Sequence, residues 1–352
     1  MLYRGFIRPL LFLFDPEFVH RFVVFFLNIS LRIPPFKKLI RKIYCFSHDE
    51  LEREVFGIKF KNPVGLAAGF DKNALLYNEL SEFGFSFIEI GTVTPKGQPG
   101  NPRPRSFRLP RDKALINRMG INNIGADRIA INLKKRKSGV IIGGNIGKNT
   151  DTPNNRAIDD YVYCFNVLHE VVDYFVVNIS CPNVGDIKEL QDYDMLTGIL
   201  NILKQLSLKK GSEKPILLKI SPDLNYGELD EVVDIALKTG IDGFVATNTT
   251  VKRENLISSG ERISKIGNGG LSGLPLRDRS TEVIRYLVKK SEGRIPVVAA
   301  GGIMEPDDAI EKLRAGASLV QIYTGFIYEG PSIVKRINKK VISNKMQEQR
   351  LE

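Results

Sequence analysis

Residues 176–183 read Val-Val-Asn-Ile-Ser-Cys-Pro-Asn. The β-branched start has the composition of a buried strand. Pro182 stiffens a polar turn that holds Asn178, Ser180, Cys181 and Asn183. A packed strand that delivers a thiol, a hydroxyl and two amides at its C-terminal tip is how a (β/α) barrel presents reacting groups. The plainer reading makes Cys181 a small buried hydrophobe and the asparagines turn formers.

Other residues with chemical potential lie at similar positions. Lys219 ends the apolar run Ile216-Leu217-Leu218-Lys219-Ile220. A lysine that alternates into a barrel interior needs an anionic or electron-rich partner; the alternative is a strand-end lysine that reaches solvent. Lys72, in Gly69-Phe70-Asp71-Lys72-Asn73, can meet a substrate carboxylate or form a surface ion pair. Ala299-Ala300-Gly301-Gly302-Ile303 and Tyr323-Thr324-Gly325 would follow the last two strands of a barrel, the usual place for a phosphate. Asn117, Asn122, Asn145, Asn178, Asn183 and Asn248 all fall near strand ends. An amide both donates and accepts, so a ring of them suits a planar molecule with alternating N–H and C=O groups, such as a pyrimidine or a flavin edge.

These residues need a scaffold that gathers strand tips. Short apolar runs at 64–68, 86–90, 140–144, 174–178, 216–220, 243–246, 296–300 and 318–322 predict strands. Amphipathic patterns at 73–83, 123–137, 155–170, 190–208, 227–239, 279–290, 306–315 and 331–343 predict helices between and after them. Eight β/α units predict a parallel closed sheet, a (β/α)8 TIM barrel. A doubly wound open sheet is the alternative and would need a reversal of strand order. A hairpin over Glu54–Lys61 precedes the barrel. The connections 91–122 and 247–277 exceed ordinary βα loops and follow strands, so they overhang the C-terminal face where a substrate site or lid is built.

The chain has 352 residues, 43% of them hydrophobic and 26% charged, as in a folded globular protein. A net charge of +11 points to an anionic partner: nucleic acid, a membrane surface or an acidic substrate. Cys45, Cys164 and Cys181 form no C-x-x-C pair, which argues against a disulfide framework or a zinc site. His20, His48 and His169 form no H-E-x-x-H motif, and no metal is expected.

Residues 1–46 differ from the rest. They hold 11 of the 31 Phe and Tyr residues, and eight Lys/Arg against two acidic residues. Asp15-Pro16 reads as an N-cap and first helical position, so two helices are expected at about 3–14 and 16–31, followed by a basic run from Lys37 to Lys42. No apolar run reaches the roughly 18–20 residues that span a bilayer. Arg21 interrupts the pattern of a signal peptide. The choices are a helical pair lying in a membrane interface or a hairpin packed on the body, and aromatics flanked by Lys/Arg favour the interface. The expected division is 1–46 as an N-terminal helical segment that associates with a membrane, 47–345 as the barrel, and 346–352 as a polar tail.

Together these stretches resemble dihydroorotate dehydrogenases of class 2, the membrane-associated, quinone-dependent type. The resemblance runs through residues 65–73, Gly91-Thr92-Val93-Thr94-Pro95, residues 100–105, residues 117–122, Asn145-Ile146-Gly147-Lys148-Asn149, Asn248-Thr249-Thr250 and Gly269-Gly270-Leu271-Ser272-Gly273. It implies FMN contacts from Ala67, Ala68, Gly69, Thr92, Asn145, Asn178, Lys219, Thr247, Gly273, Gly302, Tyr323 and Thr324. It implies substrate contacts from Lys72, Asn117, Arg118, Met119, Gly120, Ile121, Asn122, Asn178, Asn183, Asn248 and Thr249, and a quinone path past His20 and Arg108. Class 2 members usually place a serine as base where this chain has Cys181, and cysteine is typical of the soluble class 1. The implied reaction oxidises dihydroorotate to orotate in pyrimidine (UMP) biosynthesis. Cys181 takes the C5 proton, FMN takes the hydride from C6, and a membrane quinone is the final acceptor. The implied location is the cytoplasmic face of the cell membrane, against an anionic surface, with no nucleic-acid partner. A tRNA-reducing flavoenzyme would share the barrel and cysteine but should carry a further RNA-binding helical domain. A membrane-docked scaffold without activity leaves the strand-tip asparagines unexplained.

Overall fold

The computed structural model describes residues 2–137, 139–179 and 190–348. Eight strands, Val64–Leu66, Phe87–Val93, Ile141–Ile146, Tyr174–Val177, Ile216–Ile220, Gly243–Ala246, Val297–Ala300 and Leu319–Ile322, close into a barrel in sequence order. Every neighbouring pair is parallel, and the eighth strand returns to the first with Val320 opposite Val64. The closed order excludes the doubly wound sheet.

The barrel interior is packed rather than hollow. Phe60, Phe87, Tyr174, Val176, Leu217, Val245, Val298 and Leu319 form one buried cluster at the end closed by the Arg53–Val55/Ile58–Phe60 hairpin. Glycine makes room for two of its rings. A Cβ at Gly65 would lie 2.3 Å from the Phe87 ring, and one at Gly143 would lie 2.3 Å from the Tyr174 ring. Alternation along the strands then carries Glu89, Asn145, Lys219 and Gln321 toward the other end, where the interior turns polar.

The long connections are structured. Segment 91–122 and segment 247–277 meet in a three-stranded sheet of Ser106–Leu109, Ala114–Asn117 and Gly270–Gly273, roofing the C-terminal face of the barrel. The N-terminal segment forms a wide turn at Tyr3–Ile7 that runs into α1 (Arg8–Phe12), then α2 (Pro16–Ser30) and α3 (Pro34–Tyr44). Asp15 caps α2 by accepting from the Phe18 N–H at 2.9 Å. The basic run read at Lys37–Lys42 is a third helix. Phe36, Ile40 and Tyr44 recur at helical spacing and pack on the core, while Lys37 and Arg41 reach the buried Glu82 carboxylate at 2.9 and 3.3 Å. The final helix, read as 331–343, spans Ser332–Glu348.

Candidate active site

A cavity of about 340 Å3 opens at the C-terminal ends of the strands, beneath that roof. Ala67, Ala68 and Gly69 line it from the first strand, Thr92 from the second, Asn178 from the fourth and Lys219 from the fifth. Thr247, Asn248 and Thr249 follow from the sixth strand, Gly302 from the seventh loop, and Tyr323 and Thr324 from the eighth. The roof contributes Asn117, Met119, Gly120, Ile121, Asn122 and Gly273, and Lys72 enters from the first loop. Lining residues that the sequence reading did not single out include Gln321, Ser272, Leu276 and Met304. Cys181 and Asn183 lie outside the described residues.

Two expected contacts sit elsewhere. Asn145 is fully buried behind the wall, accepting from Thr92 Oγ1 at 2.5 Å. Arg118 turns away from the cavity. Its guanidinium donates to the carbonyls of Ile266, Asn268 and Pro104 and stacks 4.7 Å over the Phe107 ring, so it braces the roof.

A directed chain of hydrogen bonds runs along the floor. Asn248 Nδ2 donates to Asn178 Oδ1 at 3.4 Å, Asn178 Nδ2 to Thr92 Oγ1 at 2.8 Å, and Asn145 Nδ2 to Glu89 Oε1 at 2.7 Å. Glu89 is wholly buried between Ile88 and Ile90 in the strand Phe87–Val93. It also accepts from Lys219 Nζ at 3.4 Å and from Gln321 Nε2 at 2.6 Å. The anionic partner that Lys219 requires is therefore Glu89. Sequence parity could have flagged it, since residue 89 shares the inward face with Phe87.

Lys72 Nζ donates to Asn122 Oδ1 at 2.7 Å. Burial and then the nearby Arg105 pull its pKa down, and Glu17 opposes both, leaving it at about 8. Asp71 holds this loop by accepting the N–H groups of Leu75 and Leu76 at 2.7 and 2.8 Å. The seventh and eighth loops form a glycine cradle: at Gly302, φ +75°, a Cβ would fall 2.1 Å from the Arg277 backbone. That close packing of loop against helix leaves room only for hydrogen, as a site binding an anion through main-chain groups requires.

The N-terminal helices lie against the same end of the barrel. Arg4 pairs with Glu329 at 2.9 Å, and Tyr3 and Arg8 donate to the carbonyls of Ile327 and Tyr328. Glu17 pairs with Arg103 and, at 2.8 Å, with the buried Arg105. Arg105 in turn donates to the carbonyls of Pro99 and Asn101 in the roof. His20 packs edge-on against Phe70 with centroids 5.2 Å apart, and Phe70 against Tyr323 at 5.7 Å. Aromatic rings thus connect α2 to the cavity wall. Burial, with Lys72 nearby, lowers the His20 pKa to about 4, so its imidazole is neutral at pH 7. Arg108 donates to the Phe14 carbonyl at 2.6 Å and lies 4.5 Å over the Phe12 ring. The outer faces are apolar: Phe6, Leu13 and Phe25 are 75%, 78% and 66% exposed. None of the described helices is long and apolar enough to cross a membrane.

Comparisons with known proteins agree with this arrangement. The family model for dihydroorotate dehydrogenase matches residues 50–346. A dihydroorotate dehydrogenase (quinone) from Christiangramia forsetii is 54% identical over 97% of this chain and 99% of its own length. One from Nostoc punctiforme is 44% identical, covering 97% and 94%. Among solved structures, DHODH from Eimeria tenella in complex with ferulenol superposes with a TM-score of 0.82 at 35% identity, over 95% of this chain and 93% of that one.

Proposed function

This chain belongs to the dihydroorotate dehydrogenase family and oxidises dihydroorotate to orotate in pyrimidine biosynthesis with a quinone as acceptor; from that premise we propose how its own residues divide the work. The family is flavin-dependent, and the cofactor proposed here is FMN. Its phosphate would sit in the glycine cradle of Gly302, Tyr323 and Thr324, and its ring system against Ala67, Ala68, Gly69 and Thr92. Asn145 supports Thr92 from behind, and Lys219 serves the polar edge of the ring. When bound, the flavin supplies the hydride acceptor.

Lys72 receives the carboxylate of dihydroorotate, and Asn117, Asn122, Asn178 and Asn248 pair with the alternating N–H and C=O groups of its ring. Asn183 is assigned to the same shell. Cys181 takes the C5 proton as thiolate, which is accessible near neutral pH for a thiol with a free pKa of about 8.5. Closure of the cavity by the roof excludes water and strengthens each of these contacts.

The quinone enters between the N-terminal helices and the barrel, past His20 and Arg108, toward Tyr323. A neutral His20 suits an apolar acceptor. Residues 1–46 form the docking and quinone-access segment and the catalytic barrel follows from 47; its final helix runs through Glu348, three residues past the expected boundary at 345. The exposed Phe and Leu side chains of α1 and α2 enter the interface of an anionic membrane, each contributing roughly 1.5–3 kcal/mol when fully buried. The protein is then a peripheral protein of the cytoplasmic membrane face.

The observation that carries the reading is one cavity that combines Lys72, Lys219, four strand-tip amides and the glycine cradle. Heat denaturation of the purified protein, with chromatography of the released chromophore, tests the cofactor. FMN in near-equimolar yield is expected. Release of FAD, or a colourless active enzyme, would overturn it.

A further inference from the structure

Glu89 is the group at which the hydrogen bonds of the cavity floor converge. An ionised carboxylate accepts only. Asn145 must therefore turn its amide N–H2 toward Glu89, leaving its carbonyl to accept from Thr92. Thr92, its proton committed, accepts from Asn178, whose carbonyl accepts from Asn248. One buried anion thereby orients every amide in that row, a choice that amide groups alone leave open. The same carboxylate faces the Lys219 ammonium at 3.4 Å, with side chains 0% and 8% exposed. A buried charge without its partner is strongly unfavourable, so each holds the other in place.

We propose that Glu89 is a positioning residue of the redox site. It fixes Lys219 and Asn145, and its negative charge offsets that of Lys219, which sets how readily the bound flavin accepts electrons. This rests on the flavin reading given above. Lys219 alone would stabilise the extra negative charge of a reduced flavin without restraint, holding electrons that the quinone must remove. The Glu89–Lys219 pair is neutral overall, so the site favours reduction less and reoxidation more. The Tyr174 hydroxyl, whose pKa burial and Glu89 raise well above the ordinary value, stays neutral and adds no charge to the pair.

The variant E89Q keeps the shape and removes the charge. It is tolerated because Gln321 Oε1 has no hydrogen-bond partner; a flip of the Gln321 amide presents that oxygen to the new donor. The measurement is the ratio of reduced to oxidised flavin when the holoenzyme is equilibrated with a reference dye at fixed potential. In E89Q the ratio should rise about tenfold or more, since a unit charge removed from a buried site is worth at least that, and tenfold equals about 30 mV for a two-electron couple. K219M should move the ratio the opposite way, and E89Q/K219M should return it to within about threefold of the parent. A merely structural role for Glu89 predicts no such compensation. If E89Q does not fold, K219M against E89Q/K219M carries the same test, with a rise of about tenfold expected. A flavin-loaded E89Q within threefold of the parent overturns the proposal and leaves the flavin reading standing. A protein that binds no flavin overturns both.

Discussion

The depressed pKa of Lys72 gives a pH dependence that belongs to substrate binding alone. The ammonium is present below its pKa and lost as pH rises through it. With a pKa of about 8, roughly nine-tenths of Lys72 is charged at pH 7 and roughly one-tenth at pH 9. If only the charged form holds the dihydroorotate carboxylate, the dissociation constant rises about tenfold across that interval. Stopped-flow bleaching of the flavin without quinone, over pH 6.5–9.5, separates this constant from the limiting rate. Ionisation of Cys181 raises the rate with pH; loss of the Lys72 charge weakens binding with pH. K72R, charged throughout, should abolish the binding limb. E17Q should shift the limb to lower pH, because Glu17 opposes the burial and the Arg105 charge that depress Lys72. A dissociation constant flat to pH 9.5, or a limb that persists in K72R, refutes the carboxylate contact.

Replacing the base should be severe: C181A is expected to slow flavin reduction by dihydroorotate by about 10²–10⁴-fold, C181S to recover part of the rate only at higher pH, and S180A to be mild, all read by stopped flow. Serine at Phe22, Phe25 and Phe26, exposed on α2, should weaken co-sedimentation with anionic vesicles. Raising salt should remove only the electrostatic share of that binding. H20A and R108A should raise the apparent KM for quinone several-fold and leave single-turnover flavin reduction unchanged.

The barrel was legible because its signals are local. Eight apolar runs and the helical periods between them mark every β/α unit, and the strand-tip residues follow from parity along each strand. What escaped depends on pairings across long sequence separations. The roof sheet forms only when segments around residues 106–117 and 270–273 meet, and neither reads as a strand alone. Lys219 announced a need for an anion, but Glu89 lies 130 residues away in sequence and was hidden by its apolar neighbours. In α3 the density of charge masked the spacing of Phe36, Ile40 and Tyr44. The salt bridge from Glu17 to Arg105 ties the N-terminal segment to the substrate roof, so an element expected to serve the membrane and the quinone also braces the substrate side of the site.

The most direct test of the account is turnover by the purified full chain with dihydroorotate and a soluble quinone analogue, with orotate and reduced quinone quantified together. Orotate and reduced quinone are expected in equal amounts over many cycles, with orotate limited to about one equivalent per bound flavin when quinone is withheld under anaerobic conditions. Orotate that accumulates without quinone, or quinone reduction that proceeds without orotate, would contradict it.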